Sequence, residues 1–356
     1  MRPERILLCA FLCLGCGRVA FEPVEPLDGG RDAGWDAGWD AGRDAGRDAG
    51  RDAGRDAGRD AGRDGGAADG GSDGGGRAWP DRPLCGFGPG TWALTAPERV
   101  DALSTGASDL ETHLHVDGRT IYLANDTMGR FAVYVATRAM PGSTFGAPTL
   151  VPGLSSMDGH SYHFAPHVDG LRGLLASQRT GTGGRADLFL VERPSVADPW
   201  EVVGPAEGVN TAGNEHDPWL SPDGLRVYYV SSHPDPMDGP QALWVAERAA
   251  LDAPFGAPRR LEELDTPSNE DNPALTQDEL TIVFGSDRPG GAGSHDLWIA
   301  SRARRTDPFG TAVPLEPLNS PARDAESHIA FDGCEVYLSS WRGGGADIYV
   351  SRVVPR

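Results

Sequence analysis

Two Glu-x-His pairs, Glu111-x-His113 and Glu326-x-His328, stand at either end of a long stretch of this 356-residue chain. Each precedes an Asp-Gly pair by the same interval, six residues from Glu111 to Asp117 and six from Glu326 to Asp332. His163, Asp217 and Asn272 keep that interval ahead of Asp169, Asp223 and Asp278. The column Glu111, His163, Asp217, Asn272 and Glu326 is therefore polar throughout. Two residues further on come His113, Ala165, Trp219, Ala274 and His328, a spacing that predicts the same face of a strand. Imidazole mixed with carboxylate suits a divalent metal, with Glu111, His113, His163, Glu326 and His328 as ligands. The same residues also suit the polar lining of a water-filled channel, each histidine hydrogen-bonded to a neighbouring strand. We take the lining, with no cofactor, as the expectation and the metal as its alternative. Residues 79–356 hold no GxSxG, HExxH or phosphate-loop sequence, and so no recognised nucleophile or zinc-hydrolase signature.

Either reading needs elements that bring five distant positions together. The turn aspartates recur 52, 54, 55 and 54 residues apart, and self-similarity near that period marks a repeat architecture. Each unit reads as four short strands. The first precedes the Asp-Gly turn, as in DPWLSPDG (217–224), and the second follows it, as in RVYYVSS (226–232). The third is DLFLVER, ALWVAER, DLWIASR or DIYVSR, and the fourth is a link such as FGAPRRLEELDTPS (255–268). β-branched and aromatic residues fill these runs, and Asp-Gly is a tight-hairpin signal. The recurring aspartates are expected to cap turn amides. The recurring Arg138, Arg193, Arg248, Arg302 and Arg352 are expected to pair with acidic groups of a neighbouring strand.

The pattern D-x-x-P-x-L-S-P-D-G, a strand, S-x-R-x-G-G and D-L-W-x-A-S-R is strongest over 214–302 and resembles the WD40-like PD40 repeat of the TolB C-terminal propeller family. Repeats one and two lack the D-x-x-P proline, and Ala132 and Ala242 replace the aspartate seen at Asp187, Asp296 and Asp347. The resemblance spans about 92–353 and implies an all-β propeller of four-stranded antiparallel blades. The opening segment TWALTAPERVDALSTGAS (91–108) aligns with a link strand, whereas the last unit ends after its third strand. The N-terminal strand is therefore expected to complete the last blade, giving five blades, with six as the rival count. That closure would carry Cys85 toward Cys334, and we expect them to form a disulfide.

The rest of the chain speaks of location. The formal charge of −20 repels phosphate backbones and excludes nucleic acid as a partner. Two arginines in residues 1–5 and the apolar run at 6–15 read as a secretory signal too short to span as a mature helix. The end of that run, Cys13-Leu14-Gly15-Cys16, resembles a bacterial lipobox, which implies cleavage before Cys16 and acylation of it. Residues 16–27 would be the anchor segment, and Gly17 favours the outer over the inner membrane. Residues 28–78, with nine unbroken tetrapeptides of the RDAG type, lack any apolar face and are expected to be a disordered tether. Residues 79–356 would be the propeller. The expected protein is thus a monomeric, lipid-anchored envelope module that binds protein, peptide or glycan without catalysis. The alternative is a metal-dependent polysaccharide lyase or glycoside hydrolase built on the axial His/Glu cluster.

Overall fold

The computed structural model describes residues 85, 87, 92–179, 185–234 and 240–355; the signal, Cys16 and the tether lie outside the described residues. The described chain contains strands and turns but no helix. Two short N-terminal strands, β1 (Trp92–Leu94) and β2 (Glu98–Arg99), precede four complete blades. Blade one is β3 (Asp109–Leu114), β4 (Thr120–Asn125), β5 (Ala132–Thr137) and β6 (Thr149–Leu150). Blade two is β7 (Ser161–Pro166), β8 (Arg172–Ser177), β9 (Asp187–Glu192) and β10 (Glu201–Pro205). Blade three is β11 (Glu215–Leu220), β12 (Arg226–Ser231), β13 (Ala242–Glu247) and β14 (Arg259–Arg260). Blade four is β15 (Glu270–Leu275), β16 (Thr281–Ser286), β17 (Asp296–Ser301) and β18 (Val313–Pro314). Blade five has β19 (Asp324–Ile329), β20 (Glu335–Ser340) and β21 (Asp347–Pro355), and takes its outer strand from the N-terminus.

The ring closes as the sequence predicts. Both β1 and β2 run antiparallel to β21, with Trp92 opposite Pro355 and Glu98 opposite Val350. Cys85 and Cys334 are joined by a disulfide. Gly333, next to that bond, has φ +67°, and a Cβ there would sit 2.7 Å from the Cys85 carbonyl oxygen. Only glycine accommodates both the left-handed backbone and that approach.

Period-two alternation explains why the middle strands are buried on both faces. On β12, Val227 and Tyr229 join the apolar cluster shared with blade two, while Tyr228 and Val230 join the one shared with blade four. Five such clusters exist, one for each interface of the ring, so no blade is stable by itself.

The conserved-looking turn residues are structural. Asp117 accepts the Arg119 and Thr120 amides and Asp169 those of Leu171 and Arg172, whereas Asp223, Asp278 and Asp332 accept only the first of the two in their own turns. The terminal arginines differ from expectation. Their common partner is a backbone carbonyl: Arg138, Arg193 and Arg248 donate Nε–H to the carbonyls of Gly118, Gly170 and Gly224, and Arg302 to that of Glu279. Each also lies over a ring of its link segment, Phe145, Trp200, Phe255 or Phe309, at 4.2–4.7 Å from the centroid. Carboxylate partners are added only locally, as in the Arg138–Glu335 pair at 2.7 Å and the Arg352–Glu98 pair at 2.9 Å. The link strands also fall short of expectation, at two residues in blades one, three and four. Link prolines such as Pro148, Pro258 and Pro314 lack the N–H that would extend the ladder.

Candidate functional site at the ring axis

The five innermost strands β3, β7, β11, β15 and β19 neighbour one another around the ring, and each carries a β-bulge. In β3 the register skips from Leu110 to His113, so Glu111 and Thr112 face a single partner residue. Glu111, Asp217, Asn272 and Glu326 adopt left-handed backbone, with φ of 55°, 49°, 50° and 47°. Only asparagine and aspartate enter that region readily. A pair of glutamates held there signals over-determined backbone, of the kind that collects at functional positions. The bulge interrupts the simple two-residue alternation assumed from sequence, yet both polar columns converge.

They converge as two levels. In the first, ligand atoms of Glu111, His163 and Asp217, from three successive blades, lie within 4.8 Å of one another. Asn272 adjoins them, its amide N–H donating to Asp217 Oδ2 at 3.2 Å. Glu326 continues the ring toward Glu111, and burial chiefly, with the negative charges of Asp217, Glu326 and Asp271 adding, pushes the Glu111 carboxyl well above its ordinary value. In the second level, His113 packs against His328 at 4.2 Å between ring centroids and lies 6.3 Å from His163. His328 Nε2 hydrogen-bonds to the Leu114 carbonyl at 3.1 Å, which crosses from blade five to blade one.

Every one of these seven side chains is buried: Glu111, His113, His163, Asp217, Asn272, Glu326 and His328 are 2–8 % exposed. Desolvation lowers the His163 pKa to about 4 and that of His328 to about 3, so both rings are neutral at pH 7. Desolvation lifts Glu326 to about 7, with the carboxylates of Asp271 and Asp217 acting the same way and Arg323 opposing.

A second circle of residues, not singled out from sequence, neutralises part of the ring. His216 Nδ1 lies 2.9 Å from Asp217 Oδ2, and His295 Nε2 lies 3.0 Å from Asp271 Oδ1. Arg323 stands 3.6 Å from Glu326 and 3.9 Å from Asp271. Burial pushes Asp271 up, but His295 and Arg323 outweigh it and hold this carboxyl below its usual range. The adjacent His216-Asp217 pair was the one local signal that could have revealed this circle. The partnerships of Asp271 with His295 and Arg323 are made in three dimensions only.

Several ring atoms lack hydrogen-bond partners: Glu111 Oε2, His163 Nδ1, Asn272 Oδ1, Glu326 Oε2 and His113 Nδ1. The axial cavity, about 40 Å³, opens at the end bearing the Asp-Gly turns and stops at His113, His328 and Trp219, above the carboxylate level. That volume is large enough to admit water. Its rim includes His115, Val116, Pro222, Gln277 and Phe331, and both His115 Nε2 and Gln277 Nε2 are unpartnered.

No protein-family model matches this sequence, and no curated protein does. Solved structures align with this chain at low similarity. An endo-arabinase from Bacteroides thetaiotaomicron VPI-5482 aligns with a TM-score of 0.49 and 13 % identity over 74 % of this chain and 98 % of its own. A putative TolB from Agrobacterium tumefaciens aligns with a TM-score of 0.41 and 16 % identity over 74 % of this chain and 91 % of its own. A TolB from Acinetobacter baumannii gives 0.40 and 17 %, over 70 % of this chain and 55 % of its own. At these identities and TM-scores the alignments carry no statement about the chemistry of this chain.

Proposed function

We propose that this chain is a cell-envelope binding module, exported by residues 1–15, acylated at Cys16, held by the 28–78 tether and presenting a non-enzymatic propeller to a protein, peptide or glycan. The observation that carries the reading is the state of the axis. Its carboxylates and histidines are buried, and the axial cavity, about 40 Å³, stops at His113 and His328, short of the carboxylates. Polysaccharide hydrolysis needs two carboxyl groups flanking a bound glycosidic bond, with room for the saccharide between them. What the mouth offers instead is a shallow rim of mainly apolar side chains, among them Val116, Pro222 and Phe331, suited to packing against a peptide or glycan. The Cys85–Cys334 bond supports an oxidising compartment. Among the described residues no helix is long and apolar enough to cross a membrane, so attachment in this reading rests on Cys16.

The metal-dependent polysaccharide enzyme is the second reading, favoured by the Glu111–His163–Asp217 grouping. One experiment separates the two. The full chain is expressed in a lipoprotein-processing bacterium with an alkyne-bearing fatty acid and a photo-crosslinking residue in place of Val116 or, as a comparison, Val313 on the outer edge. The module reading expects label that Cys16→Ser abolishes, adducts from position 116 in excess of 313, and no release of reducing ends or unsaturated uronates from polysaccharides. Turnover of a polysaccharide that Glu111→Gln suppresses establishes the enzyme instead, and absence of label from the wild type overturns the anchor.

A further inference from the structure

The axial ring contains an unresolved electrostatic problem. Asp217, Asp271 and Glu326 each have a cationic or imidazole partner. Glu111 has none: no arginine or histidine forms an ion pair with it among the described residues, and its Oε2 accepts no hydrogen bond. An unpartnered buried carboxylate costs several kcal/mol. Facing it are further orphans, His163 Nδ1, Asn272 Oδ1 and Glu326 Oε2, on side chains that are 5 %, 4 % and 2 % exposed. Their lone pairs need something to bind, and no donor among the described residues supplies it. The left-handed backbone at four of the five positions, with the bulge beneath it, keeps these groups on one level of the axis.

We propose that the axis of this propeller holds a structural divalent cation of the manganese or zinc class, bound by Glu111, His163 and Asp217, with Asn272 Oδ1 and Glu326 completing the shell. The ligand atoms of the first three lie within 4.8 Å of one another, close to the span of opposite ligands around one ion, so a small inward adjustment closes the site. One imidazole among several oxygens selects a borderline ion over magnesium or calcium, which take oxygen alone. The His216 imidazole on Asp217 and the Arg323 guanidinium near Glu326 orient the outer oxygens of those ligands. Because each ligand comes from a different blade, the ion ties the ring from within, much as the disulfide ties it at the edge. It is separated from the axial cavity by His113 and His328, so its role is structural. The inference stands apart from the partner-binding reading and survives its failure.

The test uses the full chain carrying a tag without histidines. Elemental analysis after purification without chelator, and again after chelator treatment and titration with Mn²⁺ or Zn²⁺, should give close to one ion per chain and a rise in Tm on re-addition. Glu111→Gln and Asp217→Asn keep side-chain shape, and asparagine tolerates the left-handed backbone. Both should lower affinity by at least about tenfold and remove the metal-dependent rise in Tm. Their metal-free Tm should match or exceed that of the metal-free wild type, which shows that the ring still folds. Metal bound equally by wild type and both variants places the ion elsewhere, for example on the aspartate-rich tether, and overturns the proposal. So does a wild type with no ion and a Tm indifferent to either metal, which leaves Glu111 simply protonated. A rise in Tm with Ca²⁺ alone overturns the assigned class.

Discussion

Opening the Cys85–Cys334 bond measures how much of this ring's stability is topological. The bond spans 249 residues of sequence, nearly the whole propeller, so in the unfolded chain it forbids almost every arrangement in which the ends separate. A loop that long corresponds to about 5 kcal/mol on the chain-entropy account, with residual structure in the unfolded chain reducing it. For a domain of this size each kcal/mol moves Tm by about 2 °C, so the expected fall is roughly 5–10 °C. Cys85→Ser/Cys334→Ser should show it by calorimetry, and reductant should lower the wild-type Tm by the same amount while leaving the double variant unmoved. The bond is covalent and local, and β1 and β2 pair with β21 through their own backbone hydrogen bonds, so the pairing is expected to survive reduction. A double variant melting within about 1 °C of the wild type would refute the reasoning, because the strands alone would then hold the ends together.

Four further outcomes follow from local features. Glu279 occupies, at φ 59°, the left-handed turn position that glycine holds in the other four blades, and it accepts from Arg226 at 2.7 Å and from the Tyr228 hydroxyl at 2.9 Å. Glu279→Gly relieves that backbone but takes the buried carboxylate away from Arg226 and from the Tyr228 hydroxyl, and urea unfolding should show a net loss of about 2–3 kcal/mol. Arg138→Met leaves buried Glu335 without its guanidinium and should cost about 3–5 kcal/mol, much of it recovered when Glu335→Gln is added. In chelator-treated, metal-free protein Glu326 has its folded pKa raised to about 7 from 4.5, so the folded state holds a proton that the unfolded state has lost over that interval. Its contribution is complete below about pH 4.5 and is lost as pH rises through 7, an upper figure of about 3 kcal/mol. Glu326→Gln should flatten that decline in a Tm-against-pH series from 5 to 8. His163, lowered to about 4, acts oppositely, its stabilisation present above pH 6.5 and lost on acidification, so His163→Gln should leave the alkaline limb intact.

Fold was legible because the determinants are periodic. Turn aspartates, β-branched runs and the missing last link strand each recur or fail to recur at a countable place, and together they favour five blades over six and an N-terminal seal. The axis was legible only as a column of residue types. Glu111, His163 and Asp217 lie 52–54 residues apart, and their meeting depends on ring curvature, which no local window contains. The bulge was invisible for a related reason. Glutamate is a poor occupant of left-handed backbone, so Glu111 and Glu326 argue locally for extended strand, and only the closing of the ring overrides them. The arginine columns mislead in the other direction. A recurring cation suggests a recurring anion, whereas the recurring partner is a turn carbonyl and a link-segment ring, neither of which carries formal charge.

The position of Cys85 has a mechanical consequence. Any tension applied to the chain ahead of it enters the fold at residue 85, and the covalent bond hands the load directly to Cys334 in the fifth blade. The load path bypasses β1 and β2, which would otherwise unzip from the edge one hydrogen bond at a time. Stretched between its N-terminus and β20 in optical tweezers, the oxidised protein should show no low-force peeling step, and the reduced protein should show one before the ring gives way.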